Sequence, residues 1–303
     1  MIKQYIRRKA TLHGFAVQMR RRAAHATRQI GKLRPSKLIE SYQGLKNSVV
    51  FAHWWSDQPN WGDALNPVLI GALSRRRVVN ARETLVVGQL PTFAVIGSIL
   101  HAVAGRHVEV WGAGFLYKGA QMRVKPRKVW AVRGPLTRQE LLKQGIDCPD
   151  VYGDPALLFP RFYTPATEKR YKLGVIPHFK DKGIACVAKL GRDPDVLIID
   201  ILGSVREVVD QINSCECIAS SSLHGLIAAD AYGVPAVWIE LSDRVEGNGF
   251  KFHDYYKSIG HQQVMPIRVS NETTARTLMR SIPRYDVDID LDRLLAACPF
   301  SGN

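Results

Sequence analysis

The stretch from Cys215 to Glu240, CECIASSSLHGLIAADAYGVPAVWIE, constrains the fold more than any other part of the chain. An apolar run, Cys217 to Ala219, enters three serines, Ser220 to Ser222. Leu223, His224 and Gly225 then open a small-residue helical segment that stops at Gly233, and Val234 and Pro235 lead into a second apolar run, Ala236 to Ile239. This order predicts a strand, a polar turn, a helix and a strand, which is one βαβ unit. In open parallel sheets ligands bind at the carboxyl ends of strands, against helix N-termini whose free N–H groups and positive dipole end favour anions. His224 occupies such a place, with Ser221, Ser222, Leu223 and Gly225 around it.

The same alternation runs through most of the chain. Ser48 to Trp55 reads as a strand, followed by Asn60-Trp61-Gly62-Asp63 and a helical pattern from Leu65 to Leu73. Asp63 is placed to cap that helix, since a carboxylate accepts from the free N–H groups of a first turn. Further strands are expected at Leu85 to Val87, Val108 to Trp111 and Val129 to Val132, with a helix at Phe93 to Ala104. Gly112-Ala113-Gly114 is a glycine turn after a strand that could admit a phosphate, although a lone GxG is a weak signal. Arg133-Gly134-Pro135 closes the strand at Val132 and opens a helix over Leu136 to Gln144, with Pro135 suited to the first turn. An arginine there is either an anion clamp or a salt-bridge partner. Gly153-Asp154-Pro155 precedes the apolar Ala156 to Phe159, and Pro160 to Lys169 has the composition of a linker.

A second series begins at Leu173 to Ile176, a strand that delivers Pro177-His178-Phe179-Lys180-Asp181. Val196 to Ile201 is expected as a strand and Val205 to Ile212 as a helix, before the βαβ unit. Gly249-Phe250-Lys251-Phe252 then enters a short helix, and helices at Thr273 to Ile282 and Leu291 to Ala297 follow. Two βα series joined by one linker predict an α/β protein of two Rossmann-like domains facing across a cleft, residues 47–166 and 167–303. A length of 303 residues with 46% hydrophobic content allows a core in each.

Charge sets the first 46 residues apart. Between Met1 and Lys46 there are twelve Lys/Arg and one acid, a net +11 of the chain's +15. Apolar residues recur among them at helical spacing from Ile2 to Leu33, which predicts a basic amphipathic helix. Such a helix can lie on an anionic leaflet, or pack on the body or a partner with its arginines solvated. Nucleic acid is disfavoured, because stacking aromatics are not interleaved with the basic residues. No apolar run approaches the roughly 20 residues of a membrane-spanning helix. The five cysteines lack ligand spacing, an even disulfide count and a preceding secretory h-region, so a reduced, cytoplasmic setting is expected. No His/Asp/Glu/Cys cluster has metal-ligand spacing, so no metal is expected.

Taken together, Asn60-Trp61-Gly62-Asp63, Val132-Arg133-Gly134-Pro135-Leu136-Thr137, Gly153-Asp154-Pro155-Ala156 and Ser222-Leu223-His224-Gly225 resemble the polysaccharide pyruvyl transferase family. Ile176-Pro177-His178-Phe179-Lys180-Asp181 and Gly249-Phe250-Lys251-Phe252 are similar to its bacterial exopolysaccharide branch. The resemblance spans roughly Ser48 to Tyr256. It implies a GT-B-like arrangement, phosphoenolpyruvate as co-substrate with no other cofactor, and a pyruvate ketal on a hexose as product. It further implies Arg133 as the donor-binding arginine, His224 as the proton-transfer residue and Asp63 as an orienting group. Asn60, Gly62, Gly112, Asp154, His178, Lys180, Ser221, Ser222, Leu223, Gly225 and Lys251 are the expected substrate contacts, with His178 open to a purely structural role.

Many members carry an arginine where this chain has Ser222. Lys180, Lys251 or the serine hydroxyls are then the substitutes to look for. The acceptor expected is a lipid-linked oligosaccharide, met at the inner face of the membrane through the basic arm. A GT-B nucleotide-sugar glycosyltransferase, with Glu240 or Glu246 on the ribose, and a non-catalytic scaffold of an assembly complex are the alternatives.

Overall fold

The computed structural model describes residues 48–57, 59–83, 90–283 and 285–300. The basic arm and the strand expected at Leu85 to Val87 lie outside them. The chain divides into two compact units, Met1–Val49 and Val50–Asn303; apart from Val49, all that follows concerns the second.

That unit contains two five-stranded sheets. The first is built from β1 (Val49–His53), β2 (Arg77–Asn80), β3 (Thr92–Ala94), β4 (Val108–Trp111) and β5 (Lys128–Ala131), in the order β2-β1-β3-β4-β5. The second takes β6 (Tyr171–Ile176), β7 (Val196–Ile198), β8 (Cys215–Ser220), β9 (Ala236–Glu240) and β10 (Ile267–Arg268), in the order β10-β9-β8-β6-β7. From β1 through β3 and β4 to β5, and throughout the second sheet, the pairing is parallel. Parallel strands covered on both faces need nearly continuous apolar sequence. All four residues of β4 are buried, and so are Leu173 to Ile176 of β6.

The helices that matter for the site begin at strand carboxyl ends. They are α1 (Trp61–Ser74) after β1, α2 (Pro135–Lys143) after β5, and, beyond α3 (Ala185–Leu190) and α4 (Val205–Asn213), α5 (Leu223–Ala231) after β8. Next come α6 (Phe250–Ser258), α7 (Ala275–Arg280) and α8 (Leu291–Ala296). The small residues of α5 are explained by packing, since every residue from Leu223 to Asp230 is buried. A Cβ on Gly225 would collide with Ser220 Oγ. The 3-10 helix Pro155–Arg161 packs on α5, tying the end of the first series to the second.

The structure departs from the sequence reading at Phe93 to Ala104. No helix forms there; Thr92–Ala94 is a strand paired with β1 and β4, and the chain then turns through Gly97 at φ 120. That dihedral lies outside the helical region, and glycine reaches it without a Cβ penalty. The strand expected to Ile201 ends at Ile198. The short β2, α3 and β10 were not anticipated.

Candidate active site

A cavity of about 390 Å³ opens where carboxyl ends of strands from both sheets meet. The loops after β1 and β3, with the first turn of α1, supply Trp55, Asn60, Asp63, Ser98 and His101 to its wall. The loops after β6 and β8, the segment before α6 and the first turns of α5 and α6 supply His178, Lys180, Ser222, His224, Glu246 and Lys251.

Each residue of Asn60-Trp61-Gly62-Asp63 has a physical task. Asn60 caps α1, its Oδ1 accepting from the Gly62 and Asp63 N–H groups, while Asp63 Oδ2 accepts from the Asn60 N–H in return. This reciprocal capping box satisfies donors that a helix start leaves free. Trp61 is fully buried; its backbone N–H reaches Ile201 O at 2.8 Å and its indole N–H reaches Val205 O at 3.0 Å, so α1 is anchored on the second series. Gly62 lies against the His224 ring, where a Cβ could not fit. Asp63 is buried yet lines the cavity, and burial pushes its carboxyl up to about 6 against the hydrogen bonds that favour the anion.

The His224 tautomer follows from Asn60. Asn60 Oδ1 already accepts from two backbone N–H groups, and Asn60 Nδ2 donates to Asp63 Oδ2 at 2.5 Å. The 2.7 Å bond between His224 Nδ1 and Asn60 Oδ1 therefore needs a hydrogen on Nδ1. Nε2 is left bare, with no partner among the described residues. Burial, followed by repulsion from Lys251, Arg133 and His178, pulls the imidazole down to about 3. His224 is thus held neutral, with the Nε2 lone pair open to a proton.

The lining around it is also cationic. Lys251, on the first turn of α6, is buried and has no ion pair among the described residues. Burial, then the charge of Arg133, lowers its ammonium to about 8. Lys180 is ion-paired with Glu246 at 2.5 Å. His178 Nδ1 accepts from the Lys180 N–H at 3.3 Å, so its hydrogen resides on Nε2, and burial holds this ring down at about 4. Ser222 precedes α5 but makes no side-chain cap bond, leaving its hydroxyl to the cavity. The first N–H groups of α5 lack intrahelical partners by geometry. Together these groups can bind an anion with more than one negative charge.

Other expected contacts stand behind this wall. Arg133 is fully buried: Nε and Nη2 bond Asp254 Oδ2 at 3.0 and 2.9 Å, Nη2 bonds Phe115 O at 2.7 Å, and Nη1 bonds Ser98 Oγ at 2.6 Å. It reaches the cavity through Ser98 and, by way of Asp254, through the helix that carries Lys251. Gly112 and Gly114 are required by close packing, the first at φ 93 against Pro155 and the second against the Arg133 guanidinium. Asp154 is fully buried and caps the turn at Pro155 through the Ala156 N–H at 3.0 Å. Ser221 Oγ accepts from the His178 N–H at 2.8 Å and donates to Asp181, and so fixes the His178 loop. Leu223 lines the cavity; Gly225 serves the fit of α5 on β8. Sequence reasoning missed Trp55, Ser98, His101 and Asp254. Only Asp254 left a trace, as an acid inside the aromatic run Phe252 to Tyr256.

Residues 111–243 match the family model of polysaccharide pyruvyl transferase. The chain is similar to the succinoglycan biosynthesis protein ExoV of Rhizobium meliloti (strain 1021), 29% identical over 245 residues that cover 78% of this chain and 72% of that protein. It is also similar to the uncharacterized protein L143 of Acanthamoeba polyphaga mimivirus, 28% identical over 218 residues, 70% of this chain and 75% of that protein. Among solved structures, the functionally uncharacterized KP1_0663 of Klebsiella pneumoniae matches with a TM-score of 0.43 and 10% identity, over 77% of this chain and 96% of its own. That likeness is too slight to add to the description of the fold.

Proposed function

We propose that this chain, which matches the polysaccharide pyruvyl transferase family model and is similar to a succinoglycan biosynthesis protein, transfers pyruvyl from phosphoenolpyruvate to a hexose of an exopolysaccharide repeat. One observation carries this reading: a buried cation that makes no ion pair among the described residues, Lys251, shares a cavity with a neutral histidine whose Nε2 is bare. The first suits a small polyanion and the second suits a hydroxyl that must lose its proton.

The atoms balance without a redox partner. Two sugar hydroxyls add to the central carbon of the enol, forming two C–O bonds; the C–O bond to phosphate breaks, and the methylene becomes a methyl group. Of the two hydroxyl protons one ends on that methyl and the other on the released phosphate. His224 Nε2 takes the proton of the attacking hydroxyl. The imidazolium so formed lies near the donor's negative charge, which offsets the repulsion that depresses its pKa in the empty cavity. It then delivers that proton to the donor. Lys251, the His178 Nε2 hydrogen and the start of α5 hold the phosphate and carboxylate, taking the place of the arginine that Ser222 replaces. A GT-B-like pair of domains is in keeping with two parallel sheets flanking one cleft.

Lys251→Met is expected to raise the KM for phosphoenolpyruvate by about 10- to 100-fold, the worth of a charge-assisted hydrogen bond. Its ammonium is charged below about pH 8 and neutral above, so the wild-type donor KM climbs as pH rises through that value. The variant's KM stays flat there, and a wild-type KM unchanged between pH 7 and 9 would count against the assignment.

The lipid-linked acceptor and the cytoplasmic membrane face belong to the same proposal, with the basic arm as the attachment. Among the described residues no helix is long and apolar enough to cross a membrane. Deleting residues 1–46 should abolish co-sedimentation with anionic vesicles and leave transfer to a soluble oligosaccharide intact. The reading as a whole is tested by phosphate release, which must require both phosphoenolpyruvate and the oligosaccharide. No phosphate release, with a nucleoside diphosphate set free from a nucleotide-sugar instead, would replace it.

A further inference from the structure

The donor proposed above would take one side of the cavity only. The cavity's cations and the α5 N-terminus belong to the second series; the other wall carries a carboxylate, Asp63, an indole, Trp55, and an imidazole, His101. We propose that Trp55, Asp63 and His101 form a subsite for a neutral hexopyranose, with the apolar face of the sugar on Trp55 and its hydroxyls on Asp63 and His101. The assignment deepens the pyruvyl-transfer reading and rests on it for the identity of the second substrate.

Three observations support it. Trp55 is 42% exposed although it lines a cavity, and it is held in place: the Arg82 guanidinium sits 4.3 Å from its ring centroid, and its backbone N–H donates to Asp63 Oδ1 at 3.3 Å. A fixed, open aromatic surface beside a carboxylate suits a ring with C–H groups on one face and hydroxyls at its edge. Asp63 Oδ1 accepts that single bond among the described residues and keeps capacity for a hydroxyl. His101 packs on Tyr117 with centroids 5.4 Å apart, and its buried Nδ1 has no partner among the described residues. An imidazole nitrogen left without a donor gains most from a hydroxyl.

The subsite also adjoins the proton acceptor. His224, Asn60 and Asp63 are linked by bonds of 2.7 and 2.5 Å, and the His224 ring packs on Gly62, next to Asp63. A hydroxyl held by Asp63 is therefore next to the hydrogen-bonded Asn60–His224 pair. The carboxylate of Asp63 in the lining selects against a uronate. Neutral sugars are preferred for that reason.

The test is saturation-transfer NMR on the full chain with methyl β-galactopyranoside, methyl β-glucopyranoside and methyl β-glucuronide, alongside calorimetric titration with phosphoenolpyruvate. Wild type is expected to saturate one face of a neutral glycoside, and the glucuronide to bind more weakly. Trp55→Ala and His101→Ala should each weaken neutral-sugar binding roughly fivefold while phosphoenolpyruvate binding is unchanged. Neutral glycosides that bind both variants as well as wild type, no glycoside binding by wild type, or a preference for the glucuronide would each overturn the subsite. Variant-sensitive glycoside binding without any phosphoenolpyruvate binding would sustain the subsite and remove the donor reading.

Discussion

Replacing His224 by alanine should lower kcat about 10³-fold, within the range that a positioned acid or base contributes, with little change in donor KM. The expectation rests on tautomer as much as on proximity. Asn60 fixes the hydrogen on Nδ1, so Nε2 alone can collect a proton. Asn60→Ala removes that lock and should cost part of the same rate by letting the ring rotate. The pH profile is a second check. With His224 depressed to about 3, the acid limb of the wild-type rate belongs to Asp63, whose carboxyl is raised to about 6 chiefly by burial. Activity should therefore rise through pH 6 as Asp63 ionises, and Asp63→Asn should lose that limb along with most of its rate. A His224→Ala enzyme within tenfold of wild type would contradict this assignment.

The second large effect is structural. Asp254 and Arg133 are both fully buried, and Asp254 also accepts from the Thr137 N–H at 2.8 Å and the Thr137 hydroxyl at 2.7 Å. Removing one partner of a buried pair strands the other charge without water, a loss of about 3–5 kcal/mol. Asp254→Ala and Arg133→Met are each expected to fall in that range in urea unfolding. The double variant should lose clearly less than the sum, because neither charge is then left alone. The pair also has a functional consequence. Asp254 lies on the same helix as Lys251, one turn on, and Arg133 Nη1 holds Ser98 at the cavity edge. Asp254→Asn should therefore raise donor KM even where it folds. A loss below 1 kcal/mol for both single variants would show that water or rearrangement satisfies the survivor.

The parts of this site legible in the sequence are those where a local pattern and the chemistry coincide. His224 was readable because a strand, three serines and a small-residue helix place it at a helix start, and the structure has that order. Asn60 to Asp63 was readable as a polar set between a strand and an apolar helix. Ser98 and His101 were not, because apolar residues from Phe93 to Val103 fall near helical spacing and conceal a strand that ends before Gly97. Arg133 was visible as chemistry, but its partner is 121 residues away. Pairing at that separation leaves no periodicity in a single sequence. The protonation state of His224 was equally out of reach, since it depends on burial and on three cationic or imidazole neighbours brought in by the fold.

The most direct measurement is the reaction run in deuterated water with phosphoenolpyruvate and an unpyruvylated oligosaccharide, with the sugar product isolated and examined by NMR. If the enol carbon is protonated as the hydroxyls add, a methyl group carrying solvent deuterium appears on a ketal carbon, in step with phosphate release, and neither appears with His224→Ala. Phosphate released without a methyl-bearing ketal, or a glycosyl group in its place, would contradict the account.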